Sequence, residues 1–146
     1  MNKNLKIGIG CDHGGFALKN KIAEYLKKDY TDVVDYGTYS SKSVDYPVYA
    51  NLVANAVASG EVDRGIIVCG SGVGVSICAN KVKGIRAVVC SEPVSAKYSR
   101  LHNNANVLCF GERIVGSLMA EEICKVWLET EFEGGRHTKR VEMIED

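Results

Sequence analysis

Short apolar runs of β character alternate with longer helical stretches along this chain, and that alternation restricts the fold more than any other feature. Lys6-Ile7-Gly8-Ile9-Gly10 reads as a first strand, and Val33-Val34-Asp35-Tyr36 as a second, closed by Gly37. Gly65-Ile66-Ile67-Val68-Cys69, Arg86-Ala87-Val88-Val89-Cys90 and Asn106-Val107-Leu108-Cys109-Phe110 give three more. Helical spacing fills the intervals at 16–28, 46–58, 73–81, 94–102 and 115–129. Pro47 falls in the first turn of the second helix, where proline is tolerated. That helix carries apolar residues around much of its circumference, so burial on more than one side is expected. Gly134-Gly135 breaks the chain before a basic stretch that predicts a last helix from about 136. Repeated βα units with right-handed crossovers close as a parallel sheet with helices on both faces. The expected fold is α/β: a three-layer α/β/α Rossmann-like sandwich with a five-stranded parallel sheet. It forms a single domain over 1–146, long enough for a full core.

Charge excludes some partners. Lys+Arg and Asp+Glu balance at 18 each. No overall field favours nucleic acid or an anionic membrane, so anion binding must come from local clusters. The opening Met1-Asn2-Lys3-Asn4-Leu5 leads straight into a strand-like run, with no secretory apolar region and no 18-residue apolar stretch. A cytoplasmic location is therefore expected. The six cysteines, at 11, 69, 78, 90, 109 and 124, include no C-x-x-C pair and no zinc-type Cys/His spacing. Most read as small buried hydrophobes in a reducing compartment.

Cys69 has a different neighbourhood. It ends an apolar run and is followed by Gly70-Ser71-Gly72-Val73-Gly74 and then a helix-compatible stretch. A strand, a glycine turn and a helix start aim backbone N–H groups at one point, which suits a phosphate or an oxyanion. In a parallel sheet, ligands bind beyond the carboxyl ends of the strands. That rule gathers Asp12-His13, Cys69 to Gly74, Ser91-Glu92 and Gly111-Glu112-Arg113 on one rim.

Each other candidate has a structural alternative. Asp12 can cap the following helix, or it can face the rim with His13. His102 and Asn103 end a helix, where both types are common, yet a neutral imidazole can also shuttle protons. Arg136 and Arg140 share a helical face, as a solvated basic end or as a phosphate fork, and Arg113 has the same ambiguity. Gly8-Ile9-Gly10-Cys11-Asp12-His13 lacks the third glycine of a dinucleotide fingerprint. No Walker lysine, H-E-x-x-H or G-x-S-x-G motif occurs.

Together, these segments resemble the ribose-5-phosphate isomerase B family, which also contains the galactose-6-phosphate isomerase subunits. The resemblance rests on Gly10-Cys11-Asp12-His13-Gly14-Gly15-Phe16, Asp45-Tyr46-Pro47, Cys69-Gly70-Ser71-Gly72-Val73-Gly74 and Ala79-Asn80-Lys81. It continues through Gly84-Ile85-Arg86-Ala87, Ser99-Arg100-Leu101-His102-Asn103 and Phe132-Glu133-Gly134-Gly135-Arg136-His137.

The resemblance implies reversible aldose–ketose isomerisation of a phosphorylated sugar, with no metal or organic cofactor. It implies that His102, assisted by Asp12, opens the sugar ring. Cys69 then moves the proton between C2 and C1 through an enediolate. A free thiol is only a few per cent ionised at pH 7, so loop amides and the helix start must help. Gly70, Ser71, Gly72, Val73 and Gly74 would hold the enediolate oxygen. Tyr46 and Asn103 would contact the sugar, and His13, Arg113, Arg136 and Arg140 the phosphate. Some family members carry a basic glutamate where Val75 stands here, so this chain resembles the cysteine branch. A homodimer with shared active sites is implied, open to further pairing as a tetramer. Ribose 5-phosphate is the leading substrate. Allose or galactose 6-phosphate is the enzymatic alternative, and a non-catalytic sugar-phosphate sensor the non-enzymatic one.

Overall fold

A computed structural model describes residues 4–145; residues 1–3 of the opening segment, and residue 146, lie outside them. The elements run β1 (Lys6–Cys11), α1 (Phe16–Lys27), β2 (Asp32–Asp35), α2 (Tyr46–Ala58), β3 (Arg64–Cys69) and α3 (Val73–Ala79). They continue with β4 (Ala87–Val89), α4 (Pro93–Leu101), β5 (Val107–Gly111), α5 (Ser117–Glu129) and α6 (Arg136–Ile144). A single 3₁₀ turn, His13–Gly15, precedes α1. All strand pairs are parallel, in the order β2-β1-β3-β5-β4.

Alternation along β3 explains the two cores. Successive side chains of a strand point to opposite faces. Ile66 and Val68 join Ile7, Ile9, Leu108, Phe110 and the helical residues Leu18, Ile22, Ile123 and Trp127 on one face. Ile67 and Cys69 join Val107, Cys109 and the α2 and α3 residues Ala50, Val53, Val75 and Ala79 on the other. Cys69 is thus the last inward-facing residue of a buried strand, on the α2/α3 side.

Most expected elements appear with shifts of a residue or two at their ends. Strand β4 keeps only Ala87–Val89, because the Arg86 N–H donates instead to the Asn106 side chain at 2.8 Å. Helix α5 starts at Ser117, after Ile114 and Val115 turn back onto the Gly111 carbonyl. The expectation for α2 needs correction within one chain. Ala50, Val53 and Ala54 are buried, but Val48 and Leu52 are 54% and 46% exposed. The sheet and α3 cover one side of α2, and its second apolar side faces outward beside Val73 and Ile77, both also exposed. Among the described residues, no helix is long and apolar enough to cross a membrane.

Candidate active site

The chain leaves β1 toward β2 on one side and later adds β3 on the other, which opens a crevice where their carboxyl ends diverge. A cavity of about 360 Å³ lies there, lined by Asp12, Tyr46, Cys69, Gly70, Ser71, Gly74, Arg113 and Ile114. Cys69 is only 6% exposed, and its Sγ accepts the Gly72 N–H at 3.0 Å. The loop therefore folds back over the sulfur before α3 begins.

Backbone shape forces the glycines here. Gly72 has φ +81°, a left-handed conformation that side chains resist, and a Cβ there would sit 2.7 Å from the Phe110 carbonyl carbon. A Cβ on Gly111 would meet Ser71 backbone at 2.5 Å. The loop is pressed against the end of β5, and N–H groups of Glu112 and Arg113 donate to the carbonyls of Cys69 (2.9 Å) and Gly70 (3.0 Å). Ser71 Oγ accepts the Val73 N–H at 3.2 Å. The first amides of α3 have no partner inside their own helix; that of Val73 is taken by Ser71, and Gly70, Ser71 and Gly74 line the cavity.

Side chains complete the rim. Asp12 is buried, and its Oδ1 accepts the Gly14 N–H at 2.9 Å, so it caps the 3₁₀ turn and lines the cavity at once. His13 is exposed and its Nδ1 accepts the Val44 N–H at 3.1 Å, which leaves Nε2 as the outward donor. Tyr46, the first residue of α2, packs its ring within 2.8 Å of where a Gly74 Cβ would stand. Arg113 lies over Gly70, with Nε 3.7 Å from a Cβ built there. Ile114, which no sequence signal marked, supplies an apolar wall. Ser91 and Glu92 stay outside the cavity; Glu92 caps α4 by accepting the Ser95 N–H.

Four of the other cysteines are buried in the cores. Burial pushes Cys11 up to about 12 and Cys90 to about 11, and raises Cys109 and Cys124 as well. These thiols stay protonated and serve as packing. Val75 is fully buried in the core next to Cys69.

The remaining predicted residues are elsewhere in the chain. His102 caps the end of α4 and precedes β5, whereas Cys69 pairs with Gly111 at the far end of β5. About 13 Å of strand separates those two levels at ~3.3 Å per residue. Glu133 donates its N–H to the Leu101 carbonyl at 3.0 Å and so ties the start of α6 to the end of α4. Helix α6 thereby carries Arg136, His137 and Arg140 to the His102 edge. Asn103 lines a separate cavity of about 580 Å³ with Asn80, Arg86, Ile144 and others.

Comparison with known proteins identifies the family and the fold. The family described as Ribose/Galactose Isomerase matches residues 7–144. The chain belongs to this family. The ribose-5-phosphate isomerase B of Escherichia coli is 58% identical over 139 residues, 95% of this chain and 93% of the relative. The D-erythrulose-4-phosphate isomerase of Pectobacterium atrosepticum is 43% identical over 141 residues, 96% of this chain and 93% of the relative. The solved structure of Clostridium thermocellum ribose-5-phosphate isomerase B superposes with a TM-score of 0.95 at 56% identity, covering 97% of this chain and 95% of the other.

Proposed function

We propose that this chain is a ribose-5-phosphate isomerase that works as a homodimer with shared active sites. The observation that carries the reading is a buried Cys69 sulfur at a cavity with Asp12, Tyr46, Ser71 and Arg113, in a chain of this family. His102 with Asp12 moves the protons that release the open aldehyde. Cys69 as thiolate then takes the C2 proton and returns it to C1, while a hydroxyl proton passes from O2 to O1. The Gly70–Gly74 amides hold the oxygen that becomes anionic in between. His13, Arg113, Arg136 and Arg140 grip the phosphate, and Tyr46 and Asn103 the sugar.

Distance within one chain supports the dimer. Two groups acting on one sugar must both be within hydrogen-bond reach of it, and one chain holds Cys69 and His102 at opposite ends of β5. A second copy supplies its His102 edge to the first copy's rim. The open apolar residues Val48, Leu52, Val73 and Ile77 lie on α2 and α3 beside that rim and suit the contact. Six unpaired cysteines fit a reducing cytoplasm.

The test is a phosphosugar panel, with isomerisation and solvent-deuterium incorporation followed by NMR. Turnover of ribose 5-phosphate at a higher kcat/KM than allose or galactose 6-phosphate is expected. Preference for a hexose phosphate overturns the substrate, and binding without deuterium exchange overturns the chemistry.

A further inference from the structure

The His102 edge contains an arrangement that the reaction above does not use. The imidazoles of His102 and His137 stack with centroids 4.1 Å apart and planes 13° from parallel. Tyr98 meets the His102 ring in a T-shaped contact at 5.1 Å. The Glu133 carboxylate spans both rings, with one oxygen 3.9 Å from His102 Nε2 and the other 3.8 Å from His137 Nε2. His102 is about a third exposed, but His137 is buried, and its Nε2 has no hydrogen-bond partner.

A buried, unpartnered ring nitrogen costs stability unless the site gains something from the ring. Two ligand nitrogens and a carboxylate suggest a cation, but the geometry opposes it. The lone pairs lie in two nearly parallel planes and do not meet at one ion. Stacking is what the pair is shaped for. Burial, then His102, with Arg136 and Arg140 also contributing, lowers the His137 pKa, and Glu133 alone opposes them. A neutral His137 offers His102 a flat polarisable face without a competing charge. Glu133, too far for a neutral hydrogen bond, still places a carboxylate oxygen 3.9 Å from His102 Nε2.

We propose that His137 is a positioning residue for ring opening: it fixes the plane of the His102 imidazole by stacking, with Glu133 balancing the charge that His102 acquires. This rests on the ring-opening role of His102. Two directions of the reaction separate the steps. Ribose 5-phosphate is cyclic and must open. Ribulose 5-phosphate cannot close a furanose, because its 5-hydroxyl is esterified, so proton exchange at its C1 needs no ring opening.

The experiment compares wild type, His102→Ala, His137→Ala and His137→Phe for kcat on ribose 5-phosphate and for solvent-deuterium exchange at C1 of ribulose 5-phosphate. His137→Ala is expected to lower kcat on ribose 5-phosphate about 10–10²-fold, as a misplaced group does. Its KM and the C1 exchange should stay within about twofold. His137→Phe keeps a flat ring, removes the orphaned nitrogen and should recover most of the loss. Equal losses in both directions, or no recovery with Phe, overturn the proposal. Loss of the split in His102→Ala itself overturns the role of His102 instead. A split in His102→Ala with an unaffected His137→Ala defeats the stacking role alone.

Discussion

The Cys69 rim and the His102 edge are built from different materials. At the rim, positions are set by backbone: Gly72 at positive φ, the amide 3.0 Å from sulfur, and the loop locked onto the end of β5. At the edge, positions are set by side chains, through two stacked imidazoles, a tyrosine edge and a carboxylate on a segment pinned to α4. Backbone geometry tolerates almost no substitution but holds an anion at no reorganisation cost. Side-chain geometry is adjustable and can titrate. The reaction proposed above, which needs a fixed oxyanion pocket and a mobile proton, would be served by one of each.

The largest expected effect tests the rim. Cys69→Ala should lower isomerisation by about 10³-fold or more, the range of a lost acid–base group, and should also abolish C1 exchange. Activity near wild type would sink Cys69 as the base. His102→Ala should cost about 10²-fold on ribose 5-phosphate yet largely spare exchange on ribulose 5-phosphate. Comparable losses in both assays would erase the division of labour between the two regions.

Mixing the two variants sharpens the comparison further. If each site takes Cys69 from one chain and His102 from the other, a Cys69→Ala/His102→Ala heterodimer contains one intact site and one doubly disabled site. Co-refolded mixtures should regain a substantial part of wild-type activity, measured against each variant alone. No recovery would place both groups in one chain.

Gly72→Ala should destabilise the fold by about 1–3 kcal/mol in denaturant titration, because a methyl at positive φ also meets Phe110 backbone. A loss below about 0.5 kcal/mol would show a rim less rigid than its geometry implies. The smallest effect concerns pH. Burial and neighbouring positive groups hold the His137 pKa below its ordinary 6.5. The unfolded chain then binds more protons just below pH 6.5, so the native state loses stability as pH falls through that window. His137→Phe should flatten that part of the stability profile, while an unchanged slope would assign it to another group.

Much of the fold was legible because its signals are local. Strand β3 reads as strand from its apolar run, and α2 was placed at its observed bounds by Pro47 and helical spacing. The rim was legible too, since a thiol at a strand end beside three glycines is a sequence-adjacent pattern. The strand order was not, nor was the wall supplied by Ile114, because both depend on which ends of the sheet become neighbours. The stack of His137 on His102 joins residues 35 positions apart and leaves no periodic trace. The outer face of α2 shows the converse: its apolar pattern is visible in the sequence, but Val48 and Leu52 stay exposed in the fold.

The sequence alone therefore determined the parallel α/β sandwich, the family and the glycine-lined thiol, since periodicity, turn chemistry and contiguous motifs act over a few residues. Tertiary structure decided what lies beside what. It put Asp12, Tyr46 and Arg113 around Cys69, and it sent His102 to the opposite end of β5 with His137 and Glu133. The reason is that helix α4 returns the chain along the sheet before β5 begins, so residues close in sequence to a strand's start are a strand's length from its end.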